Sequence, residues 1–543
     1  MNQKKATIDV AVALPVYRTF SYAVAEQFTL LTAVGKRVLV PFGHRRVTGY
    51  ILNTSQTADR EDLKNILDIL DDAPLFPPSM VRFFQWVADY YMYPLGLVIK
   101  NALPGGLYYT EQNILFVSHE KKYDFKRGFI TPLEKKILKQ LEKEGASIKS
   151  LEKKMATPIP KALIINMLNQ GWLLEKQKLR KDRIQPKMER FVSLLESKIP
   201  EKSISASRIK IIDMLRAGKK LPIRKIKETV PTAARLIKAM AADGYIHIDH
   251  KQVFRDPFGD PVPLKKPPKL TQEQKKIVLD IKKQLGKKFD TYLLAGVTGS
   301  GKTEVYLQLA KEAVRFDLSV LVLVPEIALI SQMERRFRSR FGDQIAVLHS
   351  GLSQGERYDQ WQKIVQGKVR IAIGARSAIF APFHDLGLII VDEEHDTSYK
   401  QESTLRYNAR DLAIVRAKQL NATALLGSAT PSIQSYHNAA THKFTEVQLT
   451  KRVLQRSLPD IEIVDLCRLR DQRGHRRFIS DKLYLALKGT LERGEQAILF
   501  LNRRGFANLP VCASCGDPIH CKHCDISLTY HKKRNAYHCH YCG

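Results

Sequence analysis

The stretch Gly296-Val297-Thr298-Gly299-Ser300-Gly301-Lys302-Thr303 has the residue types, in the order, that holding a triphosphate requires. Glycines let the backbone curl so that successive N–H groups face phosphate oxygens. Lys302 adds a compact positive charge, and the Thr303 hydroxyl is a ligand for Mg²⁺. A second group, Asp392-Glu393-Glu394-His395, closes the apolar run Leu388-Ile389-Ile390-Val391. Two adjacent carboxylates delivered by a buried strand beside a phosphate loop suit ATP hydrolysis, with Asp392 on the Mg²⁺ hydration shell and Glu393 orienting or deprotonating the attacking water. Gly427-Ser428-Ala429-Thr430-Pro431 ends another strand, and its small hydroxyl residues suit a hinge that relays the state of the γ-phosphate. Six of the seven cysteines form the pairs Cys512-x-x-Cys515, Cys521-x-x-Cys524 and Cys539-x-x-Cys542. Thiolates at this spacing close tetrahedral zinc sites. Cys467 stands alone and reads as a buried thiol.

Elements must position these groups. Tyr292-Leu293-Leu294-Ala295 predicts a strand into the phosphate loop, and Glu304 to Val314 predicts a helix whose N-terminal dipole faces the same phosphates. The runs Leu318 to Val324, Gln344 to Leu348, Val369 to Ile373, Gly387 to Val391 and Thr423 to Leu426 alternate with helical patterns. That order predicts a parallel, doubly wound α/β sheet, whose chemistry lies at the carboxyl ends of the strands. Ahead of it, the Pro- and Lys-rich residues 256–269 read as an extended linker. The first hundred residues carry short alternating strands, Ile8 to Leu14, Arg37 to Gly43 and Val47 to Leu52, and predict a small β-rich module. A helix from Pro78 to Tyr93 follows, with Phe83, Phe84, Trp86, Val87, Tyr90 and Tyr91 forming either a buried face or a base-stacking surface. Between Asn113 and Phe254 the chain turns Lys-rich and helical. Ile137 to Leu141 with Gly171-Trp172-Leu173 recurs, 73 to 75 residues on, as Ile211 to Leu215 with Gly244-Tyr245-Ile246. The repeat suggests two tandem winged-helix units, in which Lys161 to Asn169 and Thr232 to Ala242 either enter a DNA groove or serve as protein contacts.

The totals agree with a nucleic-acid partner. Across 543 residues, 88 Lys and Arg stand against 55 Asp and Glu, a formal charge of +33 and a pI near 9.8. Such a balance points to a polyanion, nucleic acid before an anionic membrane surface. The length suggests three or four domains. No signal peptide and no run of about 18 apolar residues is present, so a cytoplasmic protein with no membrane partner is expected. In a reducing compartment the cysteine pairs suggest metal rather than disulfides.

The loop at 296–303, the Asp392 to His395 box and Ser428-Ala429-Thr430, in this order and spacing, resemble the superfamily 2 helicases. Ala295 to Tyr306 and Asp392 to Gln401 resemble more closely the bacterial replication-restart helicases, and the likeness covers essentially the whole chain. The resemblance implies a multidomain α/β protein. Residues 1–106 would be a 3′-DNA-end-binding domain, 107–255 a winged-helix region, 256–269 a linker and 270–450 a RecA-like first motor lobe that binds ATP. Residues 451–511 would start a second lobe, and 512–543 would be part of a zinc-binding insertion. Gln274 matches the adenine-reading glutamine, ahead of Gly296, Gly299, Ser300, Gly301, Lys302 and Thr303 at the nucleotide. Arg376, in Gly374-Ala375-Arg376-Ser377-Ala378, matches a DNA phosphate contact. Asp396 to Arg410 matches an aromatic-rich loop that couples DNA binding to hydrolysis, where Tyr399 and Tyr407 would stack bases and Lys400, Arg406 and Arg410 hold the backbone. Phe20, Ser21, Gly43 and Lys64 match the pocket for a nascent 3′ end, although Ser21 stands where the family pattern has an acidic residue. The family pattern also gives Cys521, Cys524, Cys539 and Cys542 one zinc, with Cys512 and Cys515 sharing a second zinc with a further pair beyond this sequence. The rest of the second lobe and its γ-phosphate-reaching arginine are likewise expected outside it. The function implied is an ATP-dependent 3′-5′ DNA helicase that recognises stalled or branched forks and starts primosome assembly, with single-strand binding protein and primosome loading proteins as partners. A fork-binding scaffold that uses ATP as a conformational ligand, or a translocase of the repair or restriction type, are the alternatives.

Overall fold

The computed structural model describes residues 6–55, 62–107, 110–118, 131–142, 144–180, 187–195, 205–218, 220–453, 460–466, 479–500, 512, 517–531, 536–539 and 542. They fall into two compact units, Met1–Gln455 and Arg456–Gly543.

The first unit opens with an antiparallel sheet of β1 (Thr7–Val12), β2 (Phe20–Ala23), β3 (Arg37–Phe42), β4 (Arg45–Ser55) and β5 (Asp68–Ile69), ordered β2-β1-β4-β3-β5. A short helix α1 (Glu26–Thr29) joins β2 to β3. Alternation in these strands puts Ile8, Val10, Val12, Val38, Val40 and Ile51 into one core. Helix α2 (Ser79–Tyr90) buries Met80, Phe83, Phe84, Val87 and Ala88, which makes most of its aromatic stripe a packing face. Pro94, with φ fixed near the helical value, then starts α3 (Leu95–Ala102).

Two helical units follow. The first is β6 (Thr110–Val117), α4 (Pro132–Leu141), α5 (Ile148–Met155), α6 (Lys161–Asn169) and β7 (Leu173–Arg180), with β6 and β7 antiparallel. In the second are β8 (Met188–Leu194), α7 (Ala206–Gly218), β9 (Lys220–Pro222), α8 (Ile223–Thr229), α9 (Ala233–Ala242) and β10 (Ile246–Gln252), in the sheet order β10-β8-β9. Gly171 and Gly244, at φ of +74° and +83°, turn the chain out of α6 and α9 into the strands that follow. Each unit closes its own core, around Ile137, Leu138 and Met167 in one and Ile211, Leu215 and Ile237 in the other.

The motor is a seven-stranded parallel sheet. Its elements are α10 (Gln272–Lys282), β11 (Asp290–Gly296), α11 (Lys302–Arg315), β12 (Ser319–Leu323), α12 (Ile327–Phe341), β13 (Ile345–Leu348), α13 (Gln354–Val365), β14 (Ile371–Gly374), β15 (Leu386–Asp392), α14 (Ala409–Gln419), β16 (Thr423–Ser428), α15 (Ile433–Ala440) and β17 (Thr445–Leu449). The strand order is β13-β14-β12-β15-β16-β11-β17. Strand β17 was not foreseen, because Thr445–Leu449 is polar and mostly exposed, as an edge strand allows. Helices α10, α11 and α12 cover one face of the sheet. On the other face α13 and α14 share a continuous core with α2 and α3, so the module expected at 1–106 has part of its interior in common with the motor. Phe83 and Phe84 meet Phe380 with ring centroids 6.0 and 6.2 Å apart.

The linker expected at 256–269 is fastened rather than loose. At its start Arg255 donates its backbone N–H and Nη1 to the buried Asp359 carboxylate of α13, each at 2.8 Å. The Phe258 ring lies 4.6 Å from the Arg338 guanidinium, and the Lys265 N–H donates to Ser339 O at 2.7 Å. Both Arg338 and Ser339 belong to α12.

The unit Arg456–Gly543 contains α16 (Asp481–Glu492), with no buried residue, and the hairpin of β18 (Thr529–His531) and β19 (Ala536–His538). Cys467 and Cys515 lie outside the described residues, as does most of the Leu499 to Gly505 segment. Among the described residues no helix is long and apolar enough to cross a membrane.

Candidate functional site

The phosphate loop leaves β11 at the carboxyl edge of the sheet and runs into α11. Gly299 and Gly301 sit at φ of +83° and +86°, where a side chain would be strained. Lys302 is 9% exposed and donates Nζ to the Gly296 carbonyl at 2.8 Å, so its charge rests on the loop's own oxygen. Ser300 Oγ is buried and, among the described residues, without a hydrogen-bond partner at the centre of the loop. A buried hydroxyl left open in a glycine cradle fits an anionic ligand. Thr303 Oγ1 accepts from Arg336 Nη1 at 2.9 Å, and Arg340 forms a 2.8 Å ion pair with Glu304. The cavity they line, with Asp392 and Glu393 on its far wall, measures about 500 Å³. It is large enough for a nucleotide polyphosphate with its metal.

Asp392 ends β15. Its Oδ1 accepts from the Tyr306 hydroxyl at 2.9 Å, across from α11. Burial pushes the Asp392 carboxyl up, and the neighbouring Glu393 adds to this, while the Tyr306 bond and Lys302 hold it back. A divalent cation would relieve that cost. Glu393 has φ +45°, a left-handed conformation that costs a non-glycine residue about 1 kcal/mol or more and turns its carboxylate into the cavity. Glu394 points the other way. Buried, it accepts from Arg410 Nη1, Ser432 N and Oγ, and Ser435 Oγ at 3.2, 2.7, 3.1 and 2.8 Å. The carboxylate box is thereby tied to α14 and to the start of α15. His395 Nδ1 lies 2.8 Å from Ser428 Oγ, which joins the box to the Ser-Ala-Thr element.

Three expectations change. Gln274 presents no free edge to a base: it is buried, its Oε1 accepts from Thr271 N at 3.0 Å, and its Nε2 donates to Ser300 O at 2.9 Å. Thr271 and Gln274 form the capping box of α10, and the amide left over braces the phosphate loop from behind. Tyr399 and Tyr407 are not a stacking platform, being 1% and 5% exposed. The Tyr399 hydroxyl lies 2.5 Å from Asp392 O and 3.0 Å from Leu323 O, and the Tyr407 ring packs edge-on against Phe380. The aromatic character of this loop fills the core, which leaves Lys400 and Arg406 exposed as its cations, beside exposed Glu402, Ser403 and Thr404. Arg376 donates Nη1 to Ser398 O and Lys400 O at 3.0 and 3.1 Å and so holds the loop to the end of β14.

At the N-terminus Phe20 packs edge-on against Phe42 at 5.1 Å, with Gly43 following at φ +58° in open space. Ser21 stands opposite Asp9 in the β1–β2 register and donates its hydroxyl to Asp9 Oδ1 at 2.8 Å. A half-buried carboxylate is thus adjacent to the position where the family pattern has one. Lys64 pairs through its carbonyl with Ala23 N, with its side chain exposed.

Cys521, Cys524, Cys539 and Cys542 bring their four Sγ atoms within 4.8 Å of one another. The set fits tetrahedral zinc, which would staple the β18–β19 hairpin to the Cys521–Cys524 turn. Crowding by the other three thiols, Cys524 first, pushes the Cys542 thiol up to about 12. Cys512 is not in this cluster; its N–H donates to Asp517 O at 2.7 Å.

Tyr306 and Arg336 are the functional neighbours that sequence reasoning missed, whereas Arg410, expected on the DNA backbone, is buried and paired with Glu394. Tyr306 lies four residues beyond Lys302, on the same face of α11, and that spacing was the available signal. For Arg336 and Arg410 the contacts depend on tertiary packing.

Comparison with known proteins places each region. A 3′DNA-binding domain profile matches residues 9–104, a DEAD/DEAH box helicase profile 271–439, and the PriA DNA helicase Cys-rich region profile 521–543. Replication restart protein PriA of Bacillus subtilis is 34% identical over 547 residues, covering 100% of this chain and 67% of its own length. The protein of the same name from Synechocystis is 35% identical over 552 residues, covering 96% and 64%. The chain thus spans about two thirds of the length of these relatives. Among solved structures, RecG bound to a three-way DNA junction is similar over 43% of this chain and 31% of its own, at 22% identity and a TM-score of 0.30.

Proposed function

The chain belongs to the replication restart protein PriA family, and on that premise we propose that it is the fork-recognising, ATP-driven motor portion of a 3′-5′ DNA helicase that initiates primosome assembly. One observation carries this reading: a glycine loop, its lysine and two strand-end carboxylates, about 90 residues apart in sequence, face one cavity of about 500 Å³. When Mg²⁺ and ATP bind, the metal would neutralise charge between the phosphates. Thr303 and Asp392 are the residues to hold it, Lys302 exchanges the Gly296 carbonyl for a phosphate oxygen, and Glu393 orients or deprotonates water. Ser428, bonded to His395, and Glu394, bonded to Arg410, give that change a route to α14 and α15. Release of Tyr399 from Asp392 O would carry it on to the loop of Lys400 and Arg406.

The end-binding role falls to Phe20, Ser21, Gly43 and Lys64, with Asp9 sharing the hydroxyl contact that Ser21 alone would make weakly. The two helical units are read as winged helices. Arg235 and Lys238 on the exposed side of α9 favour duplex phosphates as its partner. Single-strand binding protein and primosome loading proteins are the expected protein partners, in the cytoplasm. The test is ATP hydrolysis with and without a fork bearing a nascent 3′ end, beside Lys302→Ala. Fork-stimulated turnover lost in the variant by at least a hundredfold supports the motor. Tight fork binding with no turnover in either protein supports the scaffold instead.

A further inference from the structure

Helix α12 carries Arg336 and Arg340 on the nucleotide cavity and Arg338 beside them, and their partners differ in kind. Arg338 is neutralised by Glu334 and Asp343, at 3.1 and 2.8 Å. Arg340 is neutralised by Glu304 at 2.8 Å. Arg336 lines the same cavity, yet among the described residues its guanidinium meets only the neutral Thr303 hydroxyl, at 2.9 Å. An exposed arginine held on a hydroxyl keeps its full charge available to an anion. The hydroxyl it holds is also the one that a loop-bound magnesium ion would take as a ligand.

The geometry points to Arg336 as a phosphate-positioning residue supplied by the motor lobe itself. Arg336 holds the Thr303 hydroxyl as Lys302 holds the Gly296 carbonyl. With Mg²⁺ and nucleotide bound, Thr303 would be the residue to hold the metal, and the Arg336 guanidinium would then be free to bind the terminal phosphates. The helix that presents it is held by Phe258 on Arg338 and by Lys265 on Ser339, so the 256–269 segment fixes the position of the arginine. This inference rests on the nucleotide reading of the loop.

The measurement is equilibrium binding of fluorescent AMP-PNP, ADP and AMP to the full chain, each with and without Mg²⁺, for the unaltered protein, R336A and R336K, with a melting curve for each. The expected result is a loss of about tenfold in AMP-PNP affinity in R336A, a smaller loss for ADP, none for AMP, and an intermediate value in R336K, which keeps the charge without the fork. The melting temperatures should be unchanged. Equal AMP-PNP affinity in all three proteins would overturn the role of Arg336. So would an equal loss for all three nucleotides accompanied by a lowered melting temperature, the signature of a merely structural arginine. Failure of the unaltered chain to bind any nucleotide would instead remove the nucleotide reading beneath it.

Discussion

The nucleotide cavity and the N-terminal cluster are both read as ligand sites, yet they hold their groups in opposite ways. In the cavity three groups wait on internal partners: Lys302 on Gly296 O, Thr303 on Arg336 and Asp392 on Tyr306. Occupancy there exchanges protein contacts for ligand contacts and so moves the protein. In the N-terminal cluster, Phe20 is set by Phe42 and Ser21 by its cross-strand neighbour Asp9, while Gly43 and Lys64 face solvent. An end can dock there with little rearrangement, as on any preorganised surface. The lesson is that a switch needs self-satisfied polar groups with an alternative partner, whereas a recognition site needs groups held in place with none to give up.

The comparison breaks most severely if the internal partners of the cavity are dispensable. Gly427 tests this, because a Cβ added to it would lie 1.7 Å from Tyr306 Oη and 2.8 Å from the ring carbon beside it. Gly427→Ala should expel Tyr306 from Asp392 and lower fork-stimulated ATP hydrolysis by about a hundredfold, with a fall in melting temperature. Removing the nearest clashing atom with Tyr306→Phe in the same chain should restore part of the stability but not the hydrogen bond. Hydrolysis in the single variant at the unaltered rate would mean that Tyr306 does not position Asp392. Lys64 provides the second, smaller effect. Lys64→Ala should reduce the preference for a fork with a free 3′ end about tenfold, in competition binding against a blocked end, and leave AMP-PNP affinity as it was. A change in nucleotide affinity would show that the two sites are not built as differently as their contacts suggest.

How much of this was legible in the sequence follows the same division. The loop at 296–303, the strand-end carboxylates and the cysteine spacing are local patterns, and a parallel sheet brings its strand ends together whatever the side chains beyond. Tyr399 and Tyr407 misled because an aromatic among cations has the composition of a stacking surface. Only burial against Phe380 and the Leu323 and Asp392 carbonyls reveals that they are core. Gln274 misled differently, since a glutamine three residues after a threonine is also a capping box, and here the cap takes its oxygen. Arg336 was invisible, and Arg410 was read as a DNA contact, because the residues they meet are 33 and 16 positions away, at distances set by packing. The shared core of α2, α3 and the motor was hidden for the same reason.

The smallest predicted effect tests whether the cavity stores unfavourable charge for its ligand. Burial raises the Asp392 carboxyl, so the folded chain binds that proton more tightly than the unfolded chain does. Its contribution to stability is therefore fully present at low pH and is lost as pH rises through the folded value, leaving a desolvated charge at neutral pH. Asp392→Asn removes the charge and still accepts from Tyr306. Without nucleotide the variant should melt higher than the unaltered chain at pH 7.5, by on the order of 2 °C. The difference should narrow as the pH is lowered toward 5. With Mg²⁺ and AMP-PNP the order should reverse, since only the carboxylate gains from the metal. A lower melting temperature for the variant under ligand-free conditions would mean that Asp392 stabilises the empty fold, and that the strand end is not poised for a cation.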